Sequence, residues 1–428
     1  MSAMISPAAL TAAGVRREFP ILDRIGDDGR PLIYLDTGAT AQKPQAVIDK
    51  ITECYEQFNA NVHRGVHPLH ERVTAELEAS RKKVAAFLNT RPLDELDLLD
   101  DVSEIIFTAG TTMGINLVAH AWGRQFLQPG DEILLNHLEH HANIVPWQMI
   151  AAERGAKVVW CPLTPDGLID LTKFDQLLTP RTKMVAVTAM SNVLGTIPPV
   201  AEIVRRAHAV GAKVLVDAAQ FAPHGPIDVQ AWDADFVVFS GHKLYGPTGV
   251  GVLYGKLELL EAMGPFLGGG NMIDEVFDDY STYKRPPFKF EAGTLPIAEA
   301  IALGTAIDRV QAWGWDVIHH QEQLLLEACH ARLENIPGVK IYGPGVDQKG
   351  SIVSFTVEGI PAHDLGTSLG RHGIAVRASH HCAKPLHRCY GIDATTRASF
   401  AVYNTLEEVE ALGEALEATR QVFFRRRG

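Results

Sequence analysis

A lysine lodged between two apolar runs is the first residue in this chain whose position asks for a chemical reason. The stretch VVFSGHKLYGPTGVGVLYG, Val237 to Gly255, closes one strand-like run at Ser240, sets His242 and Lys243 behind it, and returns through a glycine-rich segment. A buried ammonium has to be paired, lowered in pKa, or given up in a covalent bond. The last is the chemistry of a Schiff-base lysine. The run KVLVDAAQ ends in Asp217; a carboxylate there either caps the next helix or holds a protonated pyridine nitrogen and so makes the ring an electron sink. In TAGTTMGINLV, Gly110, Thr111 and Thr112 stand at a strand-to-helix turn, where amides and hydroxyls can grip a phosphate. A plain helix cap is the alternative. The segment fits neither GxGxxG nor GxxxxGK[ST], so neither a dinucleotide nor a nucleoside triphosphate is indicated. Ser240 and His242 add donors beside Lys243. Taken together, Lys243, Asp217 and a phosphate cradle are the parts that pyridoxal 5'-phosphate needs.

Two further segments carry reactive side chains. LEHHANIVPWQ follows the apolar DEILL, and either His140 or His141 could stack on a cofactor ring. IAVRASHHCAKPLHRCYGIDATTRASFAVYNT gathers Arg377, His380, His381, Cys382 and Arg397. A thiol beside two histidines and arginines is expected to have its thiolate favoured, and Arg397 offers a planar fork for a substrate carboxylate. Adjacent histidines chelate poorly, and no HExxH or CxxC accompanies them, so no metal is expected. Cys161 lies in an apolar run and reads as core; Cys389 reads as packing, with a resolving thiol as the alternative.

The elements that must hold these residues alternate regularly. EIIFT, DEILL, KVVWCPL, KMVAVTAM, KVLVDAA, ADFVVFS and VGVLYG are short apolar runs separated by stretches of helical period such as PVAEIVRRAHAVG. That alternation predicts an α/β fold, a mostly parallel sheet of the seven-stranded type covered by helices on both faces. Past residue 310 the pattern changes to a long helix-compatible run, Ala306–Ile336, then short strands and the closing helix LEEVEALGEALEATRQVF, a smaller α+β domain. The expected division is an N-terminal arm, 1–32, packing with the small domain, a large domain, 33–310, and a small C-terminal domain, 311–428, carrying the Cys382 loop. The chain has 428 residues, 46% hydrophobic, with 39 Lys+Arg against 51 Asp+Glu and a net charge of -12. An acidic chain without a basic stripe argues against nucleic acid, and no apolar stretch approaches membrane-span length. The five scattered cysteines fit a reducing cytoplasm, and the opening residues lack a basic lead into an apolar segment, so no secretory signal is expected. The acids around Asp94–Asp101 read as a solvated excursion, and Arg425-Arg426-Arg427 as a solvated end.

With YLDTGATAQKP, NVHRGVH, GTTMGINLVA, EHHANIVPWQ, SNVLGT, VDAAQ, FSGHKLYGPTGVG, FEAGT, HHCAKP and RASFAVYNT in this order, the chain resembles the cysteine desulfurases of the class V aminotransferase group, fold type I pyridoxal-phosphate enzymes, and among them the SufS type. The resemblance implies that Lys243 holds the cofactor and moves protons and that Asp217 faces the pyridine nitrogen. It places Gln220 at the ring hydroxyl, His140 on the ring, and Thr112, Ser240 and His242, beside Thr111, at the phosphate. It implies that Thr294 reaches the phosphate from a second subunit, giving a homodimer with shared sites. Asn192 and Arg397 would bind the carboxylate of L-cysteine, Arg64 and Arg377 would be further contacts, and Cys382 would take the sulfur as a persulfide, releasing alanine. A persulfide must be handed on, which implies an acceptor protein of the SufE or SufU type serving iron–sulfur cluster assembly. A selenocysteine lyase or another lyase on the same cofactor, and a non-catalytic sulfur relay, are the alternatives. The family usually has Gly where Ser379 stands; were φ positive there, a serine would be strained by roughly 1–2 kcal/mol.

Overall fold

The computed structural model describes residues 11–26, 29–91 and 102–425, with side chains to Phe423. The acidic stretch Asp94–Asp101 and the side chains of Arg425–Arg427 lie outside the described residues. In spatial order, the strands of the main sheet are Ile105–Thr108, Gly251–Gly255, Phe236–Ser240, Lys213–Asp217, Thr182–Thr188, Glu132–Asn136 and Lys157–Cys161. Neighbours from Phe236–Ser240 outward run parallel, while Gly251–Gly255 is antiparallel to both of its neighbours. This is the expected seven-stranded, mostly parallel α/β sheet.

Both faces of the sheet are buried, which is why its strands read as continuous apolar runs. Val214, Val216, Val237 and Phe239 face one core, and Leu215, Phe236 and Val238 face the other. The covering helices carry the matching 3.6 period: Val200–His208 buries Val200, Ile203, Val204 and Ala207. Thr108, Asn136, Thr188, Asp217 and Ser240 all end strands on a single rim, where open α/β sheets bind ligands.

A second, antiparallel sheet of four strands, Val339–Tyr342, Ile352–Val357, Thr395–Ser399 and Arg377–Ser379, packs on Trp315–Glu334, Ala362–Gly370 and Leu406–Arg425 around its own apolar core. The Ala306–Ile336 run is not one helix. Gly314, at φ +80°, separates Ile297–Trp313 from Trp315–Glu334, a backbone geometry that residues with a Cβ rarely adopt. Near the N-terminus, Phe19 packs edge-on against Tyr403 at 4.7 Å and also meets Tyr245 and Trp313, while Arg16 donates to the Tyr403 carbonyl at 2.7 Å. Among the described residues, no helix is long and apolar enough to cross a membrane, and no group of three or more His, Cys, Asp or Glu could hold a metal ion.

Candidate active site

The rim of the large sheet and the edge of the small one enclose a cavity of about 270 Å³. Lys243 sits in the turn between Phe236–Ser240 and Gly251–Gly255 and lines this cavity. Its Nζ has no hydrogen-bond partner among the described residues. Burial pushes its pKa down to about 8, against the partial pull of Asp217. Asp217, the last residue of its strand, accepts from the Ala219 amide with Oδ1 at 2.9 Å, which leaves Oδ2 for a ligand. Burial raises its pKa. The turn that follows Asp217 is not a helix, so the helix-cap alternative does not hold.

The loops expected to cradle a phosphate meet by close backbone approach. A Cβ at Gly251 would stand 2.5 Å from Gly110 Cα, so only glycine lets the two loops meet. Their meeting brings the Thr111 amide to Ser240 Oγ at 2.9 Å, with the two hydroxyls 2.7 Å apart. Thr112 and His242 line the same wall. His242 contacts Thr40 Oγ1 through Nδ1 at 3.2 Å, and burial followed by the Lys243 charge lowers its pKa to about 4. Gln220 also lines the cavity and donates to the Gly38 carbonyl at 2.7 Å.

Of the two histidines left open by the sequence, His140 lines the cavity. Its Nδ1 accepts from the Ala142 amide at 3.0 Å, and burial, then Lys243, pushes its pKa down to about 3. It is therefore a neutral ring with a fixed tautomer. His141 turns to the Cys382 loop instead: its amide donates to the Cys382 carbonyl at 2.7 Å, and its Nε2 accepts from the Lys384 amide at 3.0 Å.

Cys382 is exposed and lines the cavity. The expectation that two histidines flank its thiol needs correction. His381 is buried, with Nε2 3.0 Å from Thr395 Oγ1, and burial lowers its pKa to about 2. His380 spends Nδ1 on the amide of Cys382 at 3.2 Å. Neither ring bonds to the thiol. The strain expected at Ser379 is also absent: Ser379 ends an extended strand, and its Oγ accepts from the His381 amide at 3.3 Å. The left-handed residues are His381 and Cys382, at φ 50° and 54°, a conformation costing about 1–3 kcal/mol each and held only where surroundings fix it.

Arg397 is 2% exposed and stands beside Arg377 in the register of the small sheet. Its Nη1 donates to the Asn192 carbonyl at 2.7 Å, and its Nη2 lies 3.2 Å from Asp36 Oδ1. Its Nε is buried without a partner. Asn192 in turn donates through Nδ2 to the His381 carbonyl at 2.6 Å, tying the Arg397 corner to the Cys382 loop. Arg377 reaches Asp36 Oδ2 at 3.8 Å. Arg64 and Thr294 are not in this cavity. They lie together at a second one of about 180 Å³, with Asn61 and Asn271.

Two residues escaped the reading of the sequence. Asp36 bridges both arginines, and burial raises its pKa; the only local signal was an acid in the otherwise uncharged YLDTGAT. Glu139 is fully buried and accepts from the Asn143 side chain at 2.6 Å and the Thr188 amide at 2.8 Å, fixing the loop that carries His140. Burial pushes its pKa up to about 8.

An unpartnered lysine nitrogen, a carboxylate with one free oxygen, a rim of hydroxyls and an orphan guanidinium N–H fit pyridoxal phosphate and an amino-acid carboxylate. Comparison with known proteins points the same way. Residues 33–412 match the family described as aminotransferase class-V. A probable cysteine desulfurase of Streptomyces coelicolor is 49% identical over 97% of this chain and 99% of its own length. A cysteine desulfurase of Serratia proteamaculans is 48% identical over 95% of this chain and 98% of its own. Among solved structures, the Escherichia coli cysteine desulfurase CsdA, in its S-sulfonic acid form, superimposes with a TM-score of 0.88 at 42% identity, covering 96% of this chain and 99% of that one. The apo cysteine desulfurase of Thermococcus onnurineus gives 0.89 at 38% identity, covering 98% of this chain and 100% of the other.

Proposed function

The chain belongs to the class-V aminotransferase family, and from that premise we propose that it is a pyridoxal-phosphate-dependent cysteine desulfurase, taking sulfur from L-cysteine and releasing L-alanine. The observation that carries this reading is one cavity lined by Lys243, Asp217, Cys382 and Arg397. When bound, the cofactor supplies an electron sink that makes bonds at the substrate's Cα labile.

The chain's own residues do the rest. Lys243 would hold the cofactor through Nζ and would take and return protons at the substrate's carbons; a free-amine pKa near 8 suits the proton transfers near neutral pH. Asp217 would offer its free carboxylate oxygen to the pyridine nitrogen, and His140 would supply a neutral ring for the cofactor ring. Gln220 would serve the ring hydroxyl. Thr111, Thr112, Ser240 and His242 would hold the phosphate. Arg397 and Asn192 hold the substrate carboxylate, with Arg377 beside them. The Cys382 thiolate attacks the substrate sulfur, so that an S–S bond forms as the C–S bond breaks. The electron pair of the broken bond stays with the carbon fragment, which is protonated to alanine, and Cys382 is left as a persulfide.

Arg64 and Thr294 would serve a second copy's site. Their separate cavity supports a homodimer with shared sites. The persulfide would pass to an acceptor protein of the SufE or SufU type, in the cytoplasm. Intact mass after L-cysteine without reductant, beside a Cys382→Ala variant, tests the reading: one sulfur added to the wild type only, with alanine released. Alanine without sulfur on Cys382 would mean direct release of sulfide and would remove the acceptor from the scheme.

A further inference from the structure

The helix Lys384–Cys389 begins two residues beyond Cys382. Lys384 and Arg388 are four apart on it, so their side chains share one face. Both are exposed, and neither makes an ion pair or a side-chain hydrogen bond among the described residues. Unpaired cations clustered beside the nucleophile run against the sign of the whole chain, whose net charge is -12. Their field is felt locally: burial first, then the charges of His380, Lys384 and Arg388, lowers the pKa of His141.

Arg388 also lines a concavity. Pro385, Arg388 and Cys389 form one wall of a groove of about 410 Å³, and His137 and Trp160 form the other. The two rings lie 5.0 Å apart, and His137 is pinned by Nδ1 to the Cys161 carbonyl at 3.2 Å. Trp160 belongs to the edge strand Lys157–Cys161 and is only half-buried. A fixed aromatic surface beside two unpaired cations is complementary to an acidic peptide with some apolar or methylene surface.

We propose that this groove, with Arg388 in its lining and Lys384 one turn away on the same helix, docks an acidic segment of the sulfur-acceptor protein and presents that protein's thiol to Cys382. The inference rests on the desulfurase reading for its chemistry. The acceptor thiolate attacks the outer sulfur of the Cys382 persulfide, a new S–S bond forms, the old one breaks, and Cys382 leaves as a thiolate. No oxidant or reductant is consumed.

Two synthetic peptides, each with one cysteine flanked by glutamates or by lysines, test it with the holoenzyme. Binding is read by fluorescence anisotropy of labelled Cys→Ser versions, and sulfur transfer by mass spectrometry from enzyme first loaded with L-cysteine. The glutamate peptide should bind and take up sulfur at least about tenfold better than the lysine peptide at low salt, and the advantage should shrink as salt screens it. K384E/R388E should reverse the preference, and the milder K384Q/R388Q should abolish it, while both still form the Cys382 persulfide as the wild type does. Equal binding of the two peptides, or a preference untouched by these substitutions, would overturn the docking proposal. Failure of the persulfide to form would strike the desulfurase reading instead, and the binding arm would still decide the groove.

Discussion

At Arg397, burial and charge are in open competition. Removal from water lowers its pKa, the Asp36 carboxylate raises it, and burial in turn raises that of Asp36. A pair this enclosed is maintained by geometry rather than by Coulomb attraction alone, because desolvation takes back much of the gain. What the geometry provides is direction: Nη1 and Nη2 each give one N–H to Asn192 and Asp36 and each keeps a second, while Nε has no partner. Lysine at this position would keep the charge and lose the fork. Arg397→Lys is therefore expected to raise KM for L-cysteine by roughly 10–100-fold, the range of one charge-assisted hydrogen bond at about 1.5–3 kcal/mol, with a smaller effect on kcat. Steady-state alanine formation measures both, and an unchanged KM would remove Arg397 from carboxylate binding.

Between elements, the junction of two loops at Gly251 matters as much as any functional side chain. The Gly110–Thr112 turn and the start of Gly251–Gly255 touch backbone to backbone, and a methyl at position 251 would meet Gly110 Cα at 2.5 Å and the Phe239 carbonyl at 2.7 Å. Neither is the end of a flexible side chain, so one loop has to move. Gly251→Ala is expected to lose about 1–3 kcal/mol of stability, as overpacking does, and to draw Thr111 away from Ser240. Urea unfolding gives the first quantity and titration with pyridoxal phosphate the second. A variant destabilised but binding the cofactor as tightly as wild type would show that the junction is structural and does not shape the cradle. The same junction shows why the sequence was only partly informative at this scale. Five buried residues read as a strand in either direction, so the antiparallel course of Gly251–Gly255 leaves no mark in GVLYG, whereas its glycine does mark a close approach.

Across the whole molecule, what was legible in the sequence was local, and what was missed was brought in from a distance. Lys243, Asp217 and Cys382 each stand at the end of an apolar run or in a dense polar segment, so their types and neighbours announce them. Asp36 acts on Arg397 across 361 residues, and Glu139 is defined by its complete burial; no short pattern encodes either. The misjudged histidines beside Cys382 belong to the same class, since Thr395 claims the His381 ring. Burial of histidine recurs through the fold and sets its response to acid. His140, His242, His330 and His381 are pushed down to about 3, 4, 4 and 2, burial being the largest cause in each. Their stability contribution is whole above the unfolded value of about 6.5 and is lost as pH falls toward these folded values, because the unfolded chain takes up protons that the folded one refuses. The slope is up to about 1.4 kcal/mol per pH unit for each ring that stays neutral. Glu139, at about 8, and Glu104, at about 7, act in the opposite sense through the same window, because their carboxyls stay ionised in the unfolded chain down to about pH 4.5, but two carboxyls offset only part of what four rings lose. The cofactor-free protein is therefore expected to have a lower urea midpoint at pH 4.5 than at pH 6.5. A midpoint equal or higher at pH 4.5 would mean that these imidazoles find water or a proton in the folded state, and that the cavity is wetter than its packing implies.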